Sequence, residues 1–316
     1  MAHTVFIDGE AGTTGLQIRE RLEQRSDITL IRLADALRKD VVARKDALNS
    51  ADAVILCLPD DAAREAVALI ENPDVRIIDA STAHRIDEAW TYGFAEMDKG
   101  QRDIIRASKR ISNPGCYATG FIALMKPLTD AGMIPPFWPT MCNAISGYSG
   151  GGKSMIAEFE KPVSEGGTAD NYRIYKTNLQ HKHLPEMTVY GGLESPPVFA
   201  PAVGRYAQGM IVEIPLQLWA LPGEPELVAL HETLNAAYAG ERFVRVAPLE
   251  ESDALNELQP EMLNNTNQLL IHCFGDVMGQ QARLVAVLDN LGKGASGAAV
   301  QNLNLVLGVD EALGLV

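Results

Sequence analysis

Thr4-Val5-Phe6-Ile7-Asp8-Gly9-Glu10-Ala11-Gly12-Thr13-Thr14-Gly15 runs from a short β-branched and aromatic strand into a glycine turn, and a helical pattern with Ile18, Leu22 and Arg25 on one face follows. Strand, glycine turn and helix in that order are the context of a dinucleotide fingerprint. The spacing here is G-x-x-G-x-x-G rather than G-x-G-x-x-G. Glycines let the backbone approach a pyrophosphate, and the helix N-terminus stabilises its charge. Gly9, Gly12, Thr13, Thr14 and Gly15 are therefore the candidate cofactor contacts; the competing reading is a tight loop.

The segments that follow extend this unit. A second strand, Ile28–Leu33, ends without the acidic residue that holds an NAD ribose; Arg32 stands near that place and Arg38 a little beyond. A cation there suits a 2′-phosphate and so NADP over NAD, while a solvated strand-end arginine is the alternative. Ala53–Leu58, a helix over 61–71 and Arg76–Asp79 continue the alternation. Short apolar runs between helices indicate parallel strands buried on both faces, hence a doubly wound α/β sheet. Asp79-Ala80-Ser81-Thr82-Ala83-His84-Arg85 begins at a strand end, where such sheets bind ligands. Arg85 suits a carboxylate or phosphate, or a structural ion pair with Asp79 or Asp87.

At 316 residues, with 47% hydrophobic and 22% charged residues, the chain has the composition of a globular protein of about two domains. A net charge of −14 argues against a nucleic-acid or anionic-membrane partner and leaves small anionic substrates open. Neither a signal peptide nor a membrane-spanning run is visible, and Cys57, Cys116, Cys142 and Cys273 form no Cys-x-x-Cys pair. These features lead us to expect a cytoplasmic protein with no disulfide frame and no metal site.

Ser112-Asn113-Pro114-Gly115-Cys116-Tyr117-Ala118-Thr119 places a cysteine after a Pro-Gly turn, at the start of a helical pattern carried by Phe121, Ile122, Met125 and Leu128. Unpaired N–H groups at a helix N-terminus favour the thiolate, which is the nucleophilic form. A small buried hydrophobe is the bland alternative. This segment closely resembles the active-site segment of N-acetyl-gamma-glutamyl-phosphate reductases, Asn-Pro-Gly-Cys-Tyr-Pro-Thr, with Ala118 in the place of the second proline. Asp79–Arg85 is similar to that family's Asp-Leu-Ser-Ala-Asp-Phe-Arg, and His181-Lys182-His183-Leu184-Pro185-Glu186 resembles its His-x-His-x-Pro-Glu. Asp289–Asn302 resembles Asp-Asn-Leu-x-Lys-Gly-Ala-x-Gly-Gln-Ala-Val-Gln-Asn. Ala202 and Gln208 stand where the commoner form has a histidine and an arginine, which suggests the family's shorter branch; Arg205 is a candidate replacement cation.

Two other motifs overlap in the middle of the chain. Gly147–Ser154 satisfies the P-loop pattern G-x-x-x-x-G-K-[ST], and Gly147-Tyr148-Ser149-Gly150-Gly151 satisfies the G-x-S-x-G nucleophile elbow. The P-loop normally opens its domain, whereas this one begins near the midpoint, and no convincing strand ending in a metal-binding aspartate follows. The hydrolase would leave Cys116 unexplained. The same loop resembles the family's Ser-Gly-x-Ser-Gly-x-Gly-Arg/Lys segment, with amides and Lys153 suited to an anionic substrate group.

After His183, alternating Met210, Val212, Ile214, Leu216 and Leu218 read as a half-buried strand whose Pro215 argues for an edge or a bulge. A helix over 225–239 and strands near 243–246, 268–275 and 282–289 complete a mainly antiparallel α+β domain. The expected division is an NADP-binding domain over 1–115 and 293–316, and a catalytic and dimerisation domain over 116–292. The resemblance implies NADPH-dependent reduction of an N-acyl-glutamyl phosphate to the semialdehyde through a cysteine thioester, in arginine biosynthesis. It implies Cys116 as nucleophile, with His183 and His181 sharing acid–base and positioning roles in an order left open. It further implies Gly294 and Asn302 near the cofactor, and Ser81, Arg85, Asn113, Ser149, Gly150, Lys153 and Glu186 at the substrate. A homo-oligomer is expected; aspartate-semialdehyde dehydrogenase chemistry and a P-loop NTPase are the alternatives.

Overall fold

A computed structural model describes residues 2–316, which divide into two compact units. The first takes in the chain up to Ala95, Lys99–Gly115 and Ala295–Val316; the second takes in Glu96–Asp98 and Cys116–Gly294. In the first unit, β1 (His3–Asp8), α1 (Thr13–Glu23), β2 (Ile28–Ile31), α2 (Val41–Ser50), β3 (Ala53–Leu56), α3 (Asp60–Leu69), β4 (Arg76–Asp79), β5 (Thr91–Tyr92), α4 (Gln101–Ala107) and β6 (Arg110–Ser112) come in that order. The six strands form one parallel sheet in the order β2-β1-β3-β4-β6-β5.

Strand alternation explains the two layers of this unit. Val5, Ile7, Ile55, Ile78 and Ile111 point to one face, where Ile18 and Leu22 of α1 and Ile105 of α4 cover them. Phe6, Val54, Leu56 and Ile77 point to the other, under Ala47 and Leu48 of α2 and Ala63 and Ala66 of α3. Because both faces are buried, these strands read as continuous apolar runs, as the sequence indicated.

The second unit contains α5 (Cys116–Asp130), β7 (Met141–Gly147), α6 (Gly152–Glu160), β8 (Tyr172–Ile174), α7 (Leu184–Tyr190), β9 (Val198–Gly204), β10 (Met210–Gln217), α8 (Leu227–Ala237), β11 (Val244–Val246), α9 (Leu249–Asp253), β12 (Leu269–Gly275) and β13 (Gln281–Leu288). Its seven strands are mixed and mainly antiparallel, in the order β11-β12-β13-β10-β7-β9-β8. α5 lies against β10 and β13: a Cβ on Gly120 would stand 2.8 Å from Val212, so glycine permits the close approach. The chain then returns to the first unit with α10 (Gly297–Leu307), whose Ala299, Val300 and Leu303 join the core face of α1 and α4.

One expectation is corrected. Pro215 lies on β10, an interior strand rather than an edge. It is tolerated because β10 pairs with β7 only from Met210 to Glu213, so no ladder bond toward β7 is required at Pro215. Among the described residues no helix is long and apolar enough to cross a membrane, and no group of three or more His, Cys, Asp or Glu is placed to hold a metal ion.

Candidate active site

Cys116 is the first residue of the 15-residue helix α5 and is partly exposed. The turn before it is locked from several sides. The Asn113 N–H donates to the Asp79 carbonyl at 2.7 Å, and Arg85 Nε donates to the Asn113 carbonyl at 3.1 Å. The Asn113 side chain donates to the Ala295 carbonyl at 3.0 Å and accepts from Asn302 Nδ2 at 3.1 Å, while Asn302 also donates to the Gly93 carbonyl. Ser81 donates through N–H and hydroxyl to Asp79, which also bonds His84 Nδ1 at 2.7 Å. Ser81, Arg85 and Asn113 thus tie residues 112–115 to the end of β4 through Asp79.

Around Cys116 in the second unit stands a packed aromatic cluster. The Tyr117 ring centroid lies 5.7 Å from His181 and 5.9 Å from His183, and the two imidazoles are 4.7 Å apart. His181 Nδ1 accepts the His183 N–H at 3.1 Å, and its Nε2 lies 3.5 Å from the Tyr175 hydroxyl. Tyr175 donates to the Tyr117 hydroxyl at 3.1 Å, which donates to the Ala202 carbonyl at 3.2 Å. Burial pushes both phenols up, so they act as hydrogen-bond donors and not as bases. Glu186, the third residue of α7, is buried below the histidines in sequence. Tyr175 was missed: it sits in a polar stretch with no periodicity, and nothing local marks it.

Gly294 also belongs here, since a Cβ on it would meet the Cys116 Cβ at 2.7 Å. The loop over Ser149, Gly150 and Lys153 enters with its first amides already committed. The N–H groups of Gly147, Tyr148 and Ser149 donate to the carbonyls of Gly209, Tyr206 and Ala207, so they are not turned inward as a phosphate cradle. The same bonds remove three of the amides expected to face a substrate anion. Ser149 is buried and accepts from Asn290 Nδ2 at 3.0 Å; Gly150 packs beside the same amide, and Lys153 is exposed. Arg205 is not a substrate cation either: its guanidinium donates to the carbonyls of Phe159, Thr168 and Asp170 and braces the loop before β8.

In the first unit, Gly9 takes φ +88°, and a Cβ there would lie 2.4 Å from the Cys57 carbonyl oxygen, so glycine is required. Gly12 caps α1 without a side-chain hydrogen bond, and Thr13 Oγ1 is a buried oxygen with no hydrogen bond in the structure. Orphan helix N–H groups, a hydroxyl and a glycine turn fit a dinucleotide pyrophosphate. Arg32 is exposed and pairs with Glu23 at 2.7 Å; Arg38 pairs with Glu10 of the glycine turn itself at 2.8 Å. Of the two arginines, Arg38 is the one the fold holds at the glycine turn.

The other three thiols are chemically quiet. Desolvation, aided by Asp79 and Asp8, pushes Cys57 up to about 12; burial alone does the same for Cys273, and Cys142 is driven well above the ordinary thiol range. Iodoacetamide on the native protein near neutral pH is therefore expected to label Cys116 alone, read by peptide mass spectrometry. Equal labelling of Cys57 in folded protein would contradict this ranking.

Residues 4–104 match the semialdehyde dehydrogenase NAD-binding domain, and residues 116–290 match the semialdehyde dehydrogenase dimerisation domain. Among solved structures, aspartate semialdehyde dehydrogenase II of Vibrio cholerae superposes with TM-score 0.69 at 16% identity, covering 98% of this chain and 99% of that one. The Francisella tularensis aspartate semialdehyde dehydrogenase gives TM-score 0.70 at 15% identity, over 97% and 100%. At that identity the likeness shows the fold. N-acetyl-gamma-glutamyl-phosphate reductase 2 of Nostoc sp. is 51% identical, covering 98% of both chains. The reductase of Brucella anthropi is 51% identical over 98% of this chain and 99% of its own. Matched end to end at half identity, with cysteine, histidine pair and glycine turn in place, the chain belongs to the N-acetyl-gamma-glutamyl-phosphate reductase family.

Proposed function

We propose that this protein reduces N-acetyl-gamma-glutamyl phosphate to N-acetylglutamate 5-semialdehyde with release of phosphate, using NADP(H), as a step of arginine biosynthesis. The observation that carries the chemistry is Cys116 at the head of α5 with the His181–His183 pair packed on its neighbour Tyr117. The Cys116 thiolate attacks the acyl carbon, the tetrahedral adduct collapses, and phosphate leaves with the electrons of the broken C–O bond. A thioester remains on Sγ, and because sulfur conjugates weakly with a carbonyl it stays electrophilic. The hydride that brings this carbon to the aldehyde level would come from NADPH when it is bound. His183 gives a proton to the oxygen of the resulting thiohemiacetal and takes it back as the C–S bond breaks and aldehyde departs. His181 positions His183 through the bond from the His183 N–H to its Nδ1. Asn113, Arg85 and Ser81 hold the turn, while Ser149, Gly150, Lys153 and Glu186 are assigned to the substrate.

For the cofactor, Gly9, Gly12, Thr13, Thr14 and Gly15 of the first unit hold the pyrophosphate, and Asn302 of the same unit is assigned to it as well. Arg38, anchored on Glu10, takes the 2′-phosphate in preference to Arg32. Arg38→Ala is expected to raise KM for NADPH by about tenfold to a hundredfold, the worth of a charged hydrogen bond, and to leave NADH use unchanged. Arg32→Ala should do neither; the reverse ranking would return the role to Arg32.

The homo-oligomer is assigned to the sheet face opposite α5. There Ile145 and Ile211 pair across β7 and β10, partly exposed, beside the Glu213–Arg283 ion pair. Ile211→Arg should convert a dimer to monomers in analytical ultracentrifugation; an unchanged sedimentation coefficient would place the interface elsewhere.

The deciding assay mixes protein, N-acetylglutamate semialdehyde, phosphate and NADP and follows NADPH absorbance, with aspartate semialdehyde alongside. A phosphate-dependent rise with the first substrate alone supports the reading. A rise with aspartate semialdehyde alone would move the enzyme to the other branch of its fold.

A further inference from the structure

Lys293 is a buried cation outside the roles assigned so far. It is 1% exposed, its Nζ lies 2.8 and 2.7 Å from the two oxygens of Glu96, itself 3% exposed, and it stands 5.6 Å above the Phe243 ring. A buried ion pair is a poor stabiliser, because desolvation of both ions offsets their attraction. Placing one here calls for another reason. The next residue supplies it: Gly294 abuts Cys116, and having no side chain it cannot anchor itself. Its N–H donates to the Asp289 carbonyl at 2.9 Å, and Asp289 in turn accepts from Leu291 N, Asn265 N and Gln208 Nε2. Asn290 accepts from the Gly209 N–H and donates to Ser149. The segment from Asp289 to Gly294 is therefore a brace, bonded to the Ser149 loop at one end and pressed on the cysteine at the other.

We infer that Lys293 is a positioning residue for the nucleophile: clamped by Glu96, it fixes the Gly294 backbone against Cys116 and so holds the thiol at the head of α5. This rests on Cys116 being the nucleophile, as proposed above. The substitution Lys293→Met with Glu96→Met replaces the ions by apolar chains of similar volume, which buried pairs often tolerate without loss of stability.

Three readouts on the full-length protein are compared: melting temperature, the pH profile of Cys116 alkylation by iodoacetamide, and the kcat–KM split in the phosphate-dependent assay. The double variant is expected to melt like the parent while the alkylation midpoint moves up by about one pH unit, as for a thiol leaving its helix terminus. Its kcat should fall by about 10²-fold with KM little changed, the cost of a misplaced reacting group. A double variant with the parent's alkylation profile and kcat would overturn the inference and leave the pair as packing. Should that variant not fold, Gly294→Ala keeps the ion pair and inserts a methyl beside the Cys116 Cβ; an unshifted alkylation midpoint there overturns it equally. Because alkylation needs no substrate, it decides the inference even if the parent turns over neither semialdehyde, an outcome that would defeat only the reaction assigned above.

Discussion

Cys116→Ala is expected to lower the phosphate-dependent rate by about 10⁴-fold or more, while NADPH binding followed by fluorescence titration stays at the parent value. The separation follows from the chain's own organisation. The glycine turn, Arg38 and the core face of α1 and α10 belong to the first unit, whereas Cys116 belongs to the second. Deleting one sulfur from a partly exposed position leaves no large cavity, so the melting temperature should move little. Cys116→Ser is the sharper version. Serine fits the space and can form an ester, but its oxygen conjugates strongly with the carbonyl and the ester resists hydride. The serine variant should therefore be nearly as inactive as the alanine one. Turnover above about one per cent of the parent in the alanine variant would defeat covalent catalysis at this residue.

Why the place of Cys116 at a helix start was legible in the sequence and much of what surrounds it was not has a physical reason. Strand, glycine turn and helix are local, and alternation along β1, β3 and β4 encodes burial on both faces, so the doubly wound sheet could be read directly. The Pro-Gly turn and the period of Phe121, Ile122, Met125 and Leu128 placed Cys116 at a helix start, and α5 begins there. Support for the turn, by contrast, comes from residues far away in the chain. Asn302 meets Asn113 across 189 positions, and Gly294 faces Cys116 only once β13 has returned the chain to α5. No spacing rule carries such contacts.

The P-loop pattern failed for the same reason in reverse. All its residue types are present, yet whether an amide faces a phosphate depends on where it donates. Here residues 206–209 take the N–H groups of 147–149. Arg205 likewise had the charge for a substrate contact, but three carbonyls of the folded loop claim it. Pro215 was read as the mark of an edge or a bulge; β10 is interior, and the proline is accommodated because pairing on one side stops two residues before it.

His183→Asn should reduce kcat by about 10²- to 10⁴-fold with KM little changed, whereas His181→Asn should cost about tenfold and raise KM as well. The two imidazoles are distinguished by what their nitrogens already do. His181 Nδ1 accepts the His183 N–H, which fixes its neutral form as the Nε2–H tautomer facing Tyr175. Protonating Nδ1 would put two hydrogens against each other, so His181 cannot take up a proton without losing the bond that orders its neighbour. A group that must give and recover a proton in each cycle is better supplied by His183. The pH dependence separates them further. In the reductive direction the acid form is needed, so kcat falls as pH rises through the His183 ionisation. Because the proton is returned in each cycle, the same acid form opens the phosphate-dependent direction, where it protonates the oxygen as Cys116 adds to the aldehyde, so the limb has the same sign in both directions. His183→Asn should remove both limbs and His181→Asn should keep them. If the limbs vanish with His181→Asn and survive in His183→Asn, the roles are exchanged, and the bond between His181 Nδ1 and the His183 N–H must open during turnover.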